Sequence, residues 1–286
     1  MTEPSTALNA EAVASEFDRQ ISDGYHSSAT LAVFIDGKPV IDMTRGALHA
    51  KPLFRVFSVG KPLAAAILWR QKARGLFDWD TAIAEYWPEF GTHGKSSITV
   101  EQVLAHSAGL SDHSNIPPTD YNDWGRIISH IEDMTPQTEP GSAVSYHAHT
   151  FGWIVGEFAS RVSGLSFDEV FKREVTLPLG LKNTAYTLEP VEFGRVVPLE
   201  VSTEWDDKEI ANNMDLILRA QVSMPAGSMI TTASDVAKFY AAISSKGVMN
   251  GVRWLPEEVI SEVTSVKAEG IDETTGAYSR VGLGVR

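Results

Sequence analysis

Residues 53–66 read Leu-Phe-Arg-Val-Phe-Ser-Val-Gly-Lys-Pro-Leu-Ala-Ala-Ala, an apolar stretch that holds a serine and a lysine three positions apart. Its alanine- and leucine-rich continuation predicts a helix from Ser58 to Arg74. Pro62 is tolerated only in the first turn of a helix, so we expect this helix to start at or just before Ser58. Positions i and i+3 share one face there, so the Lys61 amine can take the hydroxyl proton of Ser58.

Ser58 is the one serine of the chain that has a lysine three residues later. The alternative interpretation of such a pair is a serine that caps a helix and a lysine that points into water. The apolar residues on both sides predict instead a partly desolvated Lys61, whose pKa is lowered so that the neutral amine can act as a base. Backbone N–H groups at the helix start would face a developing oxyanion.

In the segments around this stretch, the spacing of apolar residues changes along the chain. Val13, Phe17 and Ile21 recur at helical spacing after Asn9, which predicts a capped amphipathic helix. Two β-rich runs, 31–35 and 39–44, flank Asp-Gly at 36–37, which predicts an antiparallel hairpin. Further helices are predicted from two capping boxes, from a run at 151–162 that Gly164 ends, and from a start at Thr232.

This order predicts an α/β (α+β) fold with two lobes. Residues 1–75 and 229–286 are expected to form a sheet lobe, and residues 76–228 a mostly helical lobe. The active site is expected at the seam between the lobes, where pockets are common.

Five blocks of the chain resemble a known family. They are Phe57–Pro62, Ile98–Leu110, Pro140–Trp153, Leu179–Leu181 and Pro225–Phe239. In this order they are similar to the serine β-lactamase and penicillin-binding protein superfamily, in its class C-like branch of esterases, DD-peptidases and acyltransferases. The resemblance to family VIII esterases implies a β-lactamase-like fold, in which helices flank an antiparallel sheet and a second lobe is mostly helical. It also implies that Ser58 is acylated, that Lys61 is its base and that Tyr146 carries a proton to the leaving group.

Two departures from the family pattern bear on function. Where the family's β-lactamases carry asparagine two residues after the tyrosine, this chain has Ala148, which can neither donate nor accept a hydrogen bond. The family's third motif, a Lys or His with glycines on a late strand, is not found, and Val281–Arg286 resembles the strand expected before it. We therefore expect a sheet that is incomplete at the C-terminus, with Val281–Arg286 as an exposed edge. Either the chain is truncated, or another chain completes the sheet.

The predicted function is hydrolysis of small-molecule carboxylic esters through an acyl-enzyme on Ser58. β-Lactamase or D-amino-acid peptidase activity, or acyl transfer, on the same scaffold is the alternative. A further alternative, from another functional class, is an inactive truncated scaffold or a binding protein. Trp124 and Trp205 lie in polar segments, where they could line the acyl or alcohol pocket or, as tryptophans more often do, pack in the core.

Composition and motifs argue against several other classes of function. A net charge of −13 argues against nucleic acid and anionic membrane as partners, and the lack of cysteine excludes a thiol nucleophile. His147 and His149 lack the further ligands that a zinc site needs, and His106 is assigned to a structural turn, so no metal or cofactor is expected. The polar N-terminus and the short apolar runs predict a soluble, cytoplasmic chain, and a homo-oligomer is left open.

Overall fold

The computed structural model describes residues 9–46, 48–49, 51–200 and 208–286. The helices are α1 (Ala10–Ser22), α2 (Lys61–Ala73), α3 (Val100–Leu104), α4 (Trp124–Asp133), α5 (Thr150–Ser163), α6 (Phe167–Phe171), α7 (Leu177–Leu179), α8 (Lys208–Ala220), α9 (Ala233–Ser244) and α10 (Glu257–Thr264). The strands are β1 (Ser28–Ile35), β2 (Lys38–Gly46), β3 (Phe54–Arg55), β4 (Ile230–Thr231), β5 (Val248–Met249), β6 (Val252–Arg253), β7 (Ala268–Ile271) and β8 (Tyr278–Val281). Within the described residues these strands pair as four antiparallel two-stranded ladders: β1–β2, β3–β4, β5–β6 and β7–β8.

The N-terminal helix and hairpin form as their local sequence predicts. Asn9 Oδ1 accepts a hydrogen bond from the Ala12 N–H at 3.0 Å and so caps α1, whose Phe17 is buried. Asp36 and Gly37 take φ angles of 50° and 73°, the left-handed values that a tight hairpin turn between β1 and β2 requires. Helix α9 packs against β1, and α1 packs against β2.

The start of α2 differs from the prediction. Phe57–Gly60 form a 3₁₀ turn, and the α-helix begins at Lys61, three residues later than expected. The reason is Pro62, which has no N–H to donate and whose ring would meet the carbonyl of Ser58 in a regular α-helix. The Ser58 carbonyl instead accepts from the Lys61 N–H, one residue closer.

Helix α2 lies in the middle of the core. Its residues 63–69 are at most 1% exposed, so it is buried on all sides. It packs against α5, and the buried cluster around it includes residues from both expected lobes. The expected fold class, helices combined with small antiparallel sheets, is confirmed by this arrangement. The division into two lobes stays a prediction.

The predicted starts of α3, α6 and α9 and the predicted end of α5 are confirmed. Thr99 and Gln102 form the predicted capping box at α3, and Ser166 and Glu169 form the one at α6. Gly164 ends α5 with a φ of 70°. Helix α9 starts after its cap residue, Thr232, as predicted.

The last residues of the chain correct one expectation. Strand β8 ends at Val281, and the residues after it turn back into the core instead of forming an exposed edge. Leu283 is fully buried, its N–H donates to the Val263 carbonyl at 2.9 Å, and its carbonyl accepts from Trp69 Nε1 at 2.9 Å. The prediction of an exposed edge was wrong because the backbone turns at Gly284, whose φ is 86°, and a resemblance to a strand does not indicate this turn.

Among the described residues, none of the helices combines the length and the apolar composition that crossing a bilayer requires.

Candidate active site

Ser58 and Lys61 meet at the junction of the 3₁₀ turn and α2. Lys61 Nζ donates to Ser58 Oγ at 2.9 Å and to the Ala226 carbonyl at 3.1 Å. Lys61 is only 4% exposed, whereas Ser58 is exposed. A buried amine therefore contacts a hydroxyl that a ligand can reach.

Burial sets the protonation state of this amine. Desolvation lowers the pKa of Lys61 from its usual range to about 7, because a charged ammonium loses its hydration there. A substantial fraction of Lys61 is then neutral at pH 7. A neutral amine is able to accept a proton from the hydroxyl that it contacts.

The Ala226 carbonyl reaches Lys61 because two elements hold its segment in place. The β3–β4 ladder pairs Phe54 with Thr231, and the Val56 N–H donates to the Met229 carbonyl at 3.1 Å, so the segment that precedes β4 lies beside the Ser58 turn. On the other side α5 presents Gly152, where a Cβ atom would lie 2.2 Å from the Ala226 nitrogen. A glycine at 152 is thus needed for the close approach of this backbone.

Tyr146 lies next to the same lysine. Lys61 Nζ is 4.9 Å from the centroid of the Tyr146 ring, and the Arg286 guanidinium is 5.2 Å from it. The Tyr146 N–H donates to Asp272 Oδ1 at 3.0 Å, and the same carboxylate bonds the N–H groups of Thr274 and Thr275. The structure therefore brings Ser58, Lys61 and Tyr146 together, with Tyr146 anchored to the turn after β7.

Asp272 carries a charge that this arrangement stabilises. Burial by itself raises the pKa of its carboxyl, but hydrogen bonds from the N–H groups of Tyr146, Thr274 and Thr275, together with Arg286, hold the pKa below its usual value. The carboxylate is thus ionised, with Arg286 as its ion-pair partner at 2.9 Å.

Two of the histidines serve as backbone supports. His147 Nδ1–H donates to the Ser145 carbonyl at 2.5 Å, and Nε2 accepts from the Leu110 N–H at 3.0 Å, so both ring nitrogens are occupied. His106 Nδ1 accepts from the His147 N–H at 3.0 Å, and its own φ is 57°. Burial lowers the pKa of His147 to about 4 and that of His106 well below its ordinary value, so both are neutral at pH 7.

A cavity of about 890 Å³ opens at Ser58. Its lining is mostly apolar and comes from α8 with the loop after it, from residues 118–122, and from the start of α5. The lining residues are Phe57, Ser58, Pro118, Thr119, Tyr121, Asn122, Ala148, His149, Met214, Leu216, Ile217, Arg219, Ala220, Met224, Ala226 and Gly227. This volume is typical of a site for a small organic ligand.

Most of this lining was not found by reasoning from the sequence. Met214, Ile217 and Leu218 at spacings of three and four do indicate an amphipathic α8, but not that its apolar side faces Ser58. The suggestion that Trp124 lines the pocket is wrong: its Nε1–H donates to Glu157 at 2.7 Å and its ring stacks on Phe167. Trp205 lies outside the described residues.

Known proteins share sequence and fold with this chain. The family model described as Beta-lactamase matches residues 13–286. The esterase/beta-lactamase LipL of Mycobacterium tuberculosis is 28% identical over 281 residues, which cover 82% of this chain and 62% of LipL. The chain thus spans less than two thirds of the length of that relative.

Two solved structures share the fold over nearly all of this chain. A family VIII carboxylesterase superposes with a TM-score of 0.87 at 28% identity, over 96% of this chain and 80% of that one. A penicillin-binding protein homologue from Caulobacter crescentus superposes with a TM-score of 0.85 at 27% identity, over 96% of this chain and 80% of that one.

Proposed function

Since the chain belongs to the beta-lactamase family, we propose that it is a serine hydrolase that cleaves carboxylic esters through an acyl-enzyme on Ser58. One observation carries the proposal: the buried Lys61 amine lies 2.9 Å from the hydroxyl of an exposed Ser58, at the mouth of a largely apolar cavity. The names of LipL and of the family VIII carboxylesterase support ester cleavage by analogy.

In the acylation step, Ser58 Oγ forms a bond to the ester carbonyl carbon while its proton passes to neutral Lys61 Nζ. The electron pair of the carbonyl bond moves to the oxygen, toward the backbone N–H of Ser58, which lies in the first turn of the 3₁₀ helix where N–H groups have no helical partner. When this oxyanion collapses, the bond to the alcohol oxygen breaks. Tyr146 gives its phenolic proton to the departing alkoxide and regains one from the Lys61 ammonium.

In the deacylation step, water replaces the alcohol. A water oxygen forms a bond to the acyl carbon, and its proton passes to Lys61 through Tyr146. Collapse of the second oxyanion breaks the bond to Ser58 Oγ, which takes the proton back. The acid is released, and Ser58 and Lys61 return to their starting states.

The direct test is covalent labelling of Ser58. After treatment with a fluorophosphonate, mass spectrometry of the intact chain and of its peptides is expected to place one adduct on Ser58. Ser58→Ala is expected to lose the adduct and to lower p-nitrophenyl ester turnover by a factor of about 10³ or more. Full ester turnover by Ser58→Ala would contradict the proposal. A folded wild-type protein that shows neither label nor turnover would favour the binding-protein alternative.

Acyl transfer to an alcohol is the second candidate function. The cavity is large enough to hold an alcohol beside the acyl group, and its apolar lining disfavours water. An ester product that forms when a primary alcohol is supplied, at the expense of free acid, would identify this activity. Hydrolysis of nitrocefin or of a D-Ala-D-Ala peptide would instead identify β-lactamase or D-amino-acid peptidase activity.

A further inference from the structure

The cavity at Ser58 combines apolar and polar lining. Helix α8 and the loop after it supply a mostly apolar wall, with Met214, Ile217 and Met224 as its largest buried side chains, and one charged side chain, Arg219. Residues 118–122 and the start of α5 supply polar groups, among them His149. A ligand that fills this cavity therefore meets an apolar surface and a small number of hydrogen-bonding groups.

His149 is held rigidly by three rings. It stacks on Trp153 with centroids 6.0 Å apart, meets the edge of His113 at 4.4 Å, and lies 5.7 Å from the ring of Tyr121. Aromatic contacts of this kind fix the plane of the imidazole. Its nitrogens therefore point in defined directions before any substrate binds.

The nitrogens of His149 are not used inside the described part of the protein. Nδ1 is buried without a hydrogen-bond partner among these residues. Nε2 has no hydrogen-bond partner among the described residues either, and His149 lines the cavity. This contrasts with His147, two positions earlier, which uses both nitrogens on the backbone.

His149 is also uncharged. Burial, with a smaller effect of the neighbouring His113 and Lys61, lowers its pKa to about 4. A neutral imidazole offers one donor and one acceptor and has no charge with which to attract an ion. The partner that suits it is an uncharged oxygen, because a neutral ring has no charge with which to compensate the lost hydration of an ionic group.

We propose that His149 determines substrate specificity: it hydrogen-bonds an uncharged hydroxyl group of the substrate while the apolar part of the substrate packs on α8. This inference rests on the proposed ester cleavage at Ser58. The substrate class is therefore amphipathic esters, in which an aliphatic acyl chain is combined with a hydroxyl on the acyl or on the alcohol part. Ala148, its neighbour in the lining, cannot take this role because a methyl group forms no hydrogen bond.

The test compares three esters of one chain length: propyl hexanoate, glycerol monohexanoate and the propyl ester of 3-hydroxyhexanoate. Acid release gives kcat/KM for each with the full chain. We expect one of the hydroxylated esters to exceed propyl hexanoate by a factor of about 10 or more. His149→Phe, which keeps the ring contacts, is expected to reduce that ratio to about one, and His149→Gln to keep part of it.

His26→Phe is the matched control, since His26 is exposed in the loop before β1 and contributes nothing to the cavity. It is expected to keep the wild-type ratio of kcat/KM for the hydroxylated ester to kcat/KM for propyl hexanoate. A wild-type protein that shows no preference for either hydroxylated ester, or a His149→Phe protein that retains the preference, would overturn the proposal while ester cleavage at Ser58 still stands.

Binding separates this inference from the proposed function. Calorimetric titration of Ser58→Ala with glycerol monohexyl ether, which cannot be hydrolysed, is expected to give an affinity that falls about tenfold when His149→Phe is added. If no ester is cleaved but the affinity for the ether differs as expected, the role of His149 is supported and the proposed ester hydrolysis is wrong. If both proteins bind the ether equally and His149→Phe does not lower the preference for the 3-hydroxyhexanoate ester, the role of His149 is wrong.

Discussion

At the scale of single residues, the protonation of Lys61 decides whether Ser58 can be activated. Its usual pKa would leave almost every molecule protonated at pH 7, and a protonated amine can accept no proton. Burial in the apolar stretch lowers the pKa to about 7, so that a large fraction of the amine is neutral. The apolar residues around the Ser58–Lys61 pair thus have a chemical consequence as well as a packing role.

A pH profile follows from this shift. Because the active form is the neutral amine, kcat/KM for ester cleavage is expected to rise with pH through an inflection near 7 and to be lost as the pH falls below it. Lys61→Arg, which stays protonated, is expected to lower kcat/KM by a factor of about 10² or more. A profile that is flat between about pH 5 and about pH 9 would contradict Lys61 as the base.

Ala148 offers a second prediction at this scale. It lines the cavity beside Tyr146, at the position where the family's β-lactamases carry an amide. Ala148→Asn is expected to raise the rate of nitrocefin hydrolysis relative to p-nitrophenyl butyrate hydrolysis by about tenfold, since the amide can bond an acylamino group. Ala10→Asn, on the exposed first turn of α1, is the control and is expected to leave the ratio unchanged. An unchanged ratio in Ala148→Asn would mean that this position does not select the substrate.

At the scale of elements, the packing of α5 against the segment around Ala226 positions the amine of Lys61. The Ala226 carbonyl accepts a hydrogen bond from Lys61 Nζ, and Gly152 of α5 leaves the space that this backbone occupies. The β3–β4 ladder holds the same segment from the other side. The direction of the Lys61 amine thus depends on three elements that are far apart along the chain.

Gly152→Ala tests this arrangement. Its Cβ would lie 2.2 Å from the Ala226 backbone nitrogen, so α5 or the Ala226 segment must move. We expect a loss of about 1–3 kcal/mol in the free energy of unfolding, measured by urea denaturation, together with a lower kcat. Gly194→Ala, where an added Cβ meets no atom within 4 Å, is the control and is expected to change neither. Equal behaviour of the two variants would refute the role of this contact.

At the scale of the whole molecule, the residues after β8 belong to the same core as α2. Leu283 is fully buried, and its backbone carbonyl accepts from the indole of Trp69, which lies 214 positions earlier. Gly284 donates its N–H to the Leu104 carbonyl at 2.9 Å, which ties this segment to α3 as well. The core therefore depends on contacts between early, middle and late parts of the chain.

Leu283→Ala is expected to destabilise the protein by about 2–5 kcal/mol, the usual cost of removing a large buried aliphatic side chain. Val252→Ala, at a position that is 67% exposed, is expected to change stability by less than about 0.5 kcal/mol. Thermal and urea denaturation followed by circular dichroism measure both. A midpoint for Leu283→Ala equal to that of Val252→Ala would show that the segment after β8 contributes little to the core.

The sequence by itself determined the features that depend on near neighbours. The cap at Asn9, the hairpin turn at 36–37 and the capping box of Thr99 with Gln102 each involve residues at most a few positions apart, and each forms as predicted. The pairing of Ser58 with Lys61 is of the same kind, because i and i+3 meet in any helical turn. The exact start of α2 needed only one further local fact, the clash between Pro62 and the Ser58 carbonyl.

Only the tertiary structure decided what surrounds that pair. The partner of Lys61 is the carbonyl of Ala226, 165 positions away, and the anchor of Tyr146 is Asp272, 126 positions away. The cavity takes its walls from segments on both sides of α5, and His149 lines it while His147 supports the backbone. Such contacts leave no periodic pattern, because two distant segments are brought together by the burial of the whole core and not by their own local preferences.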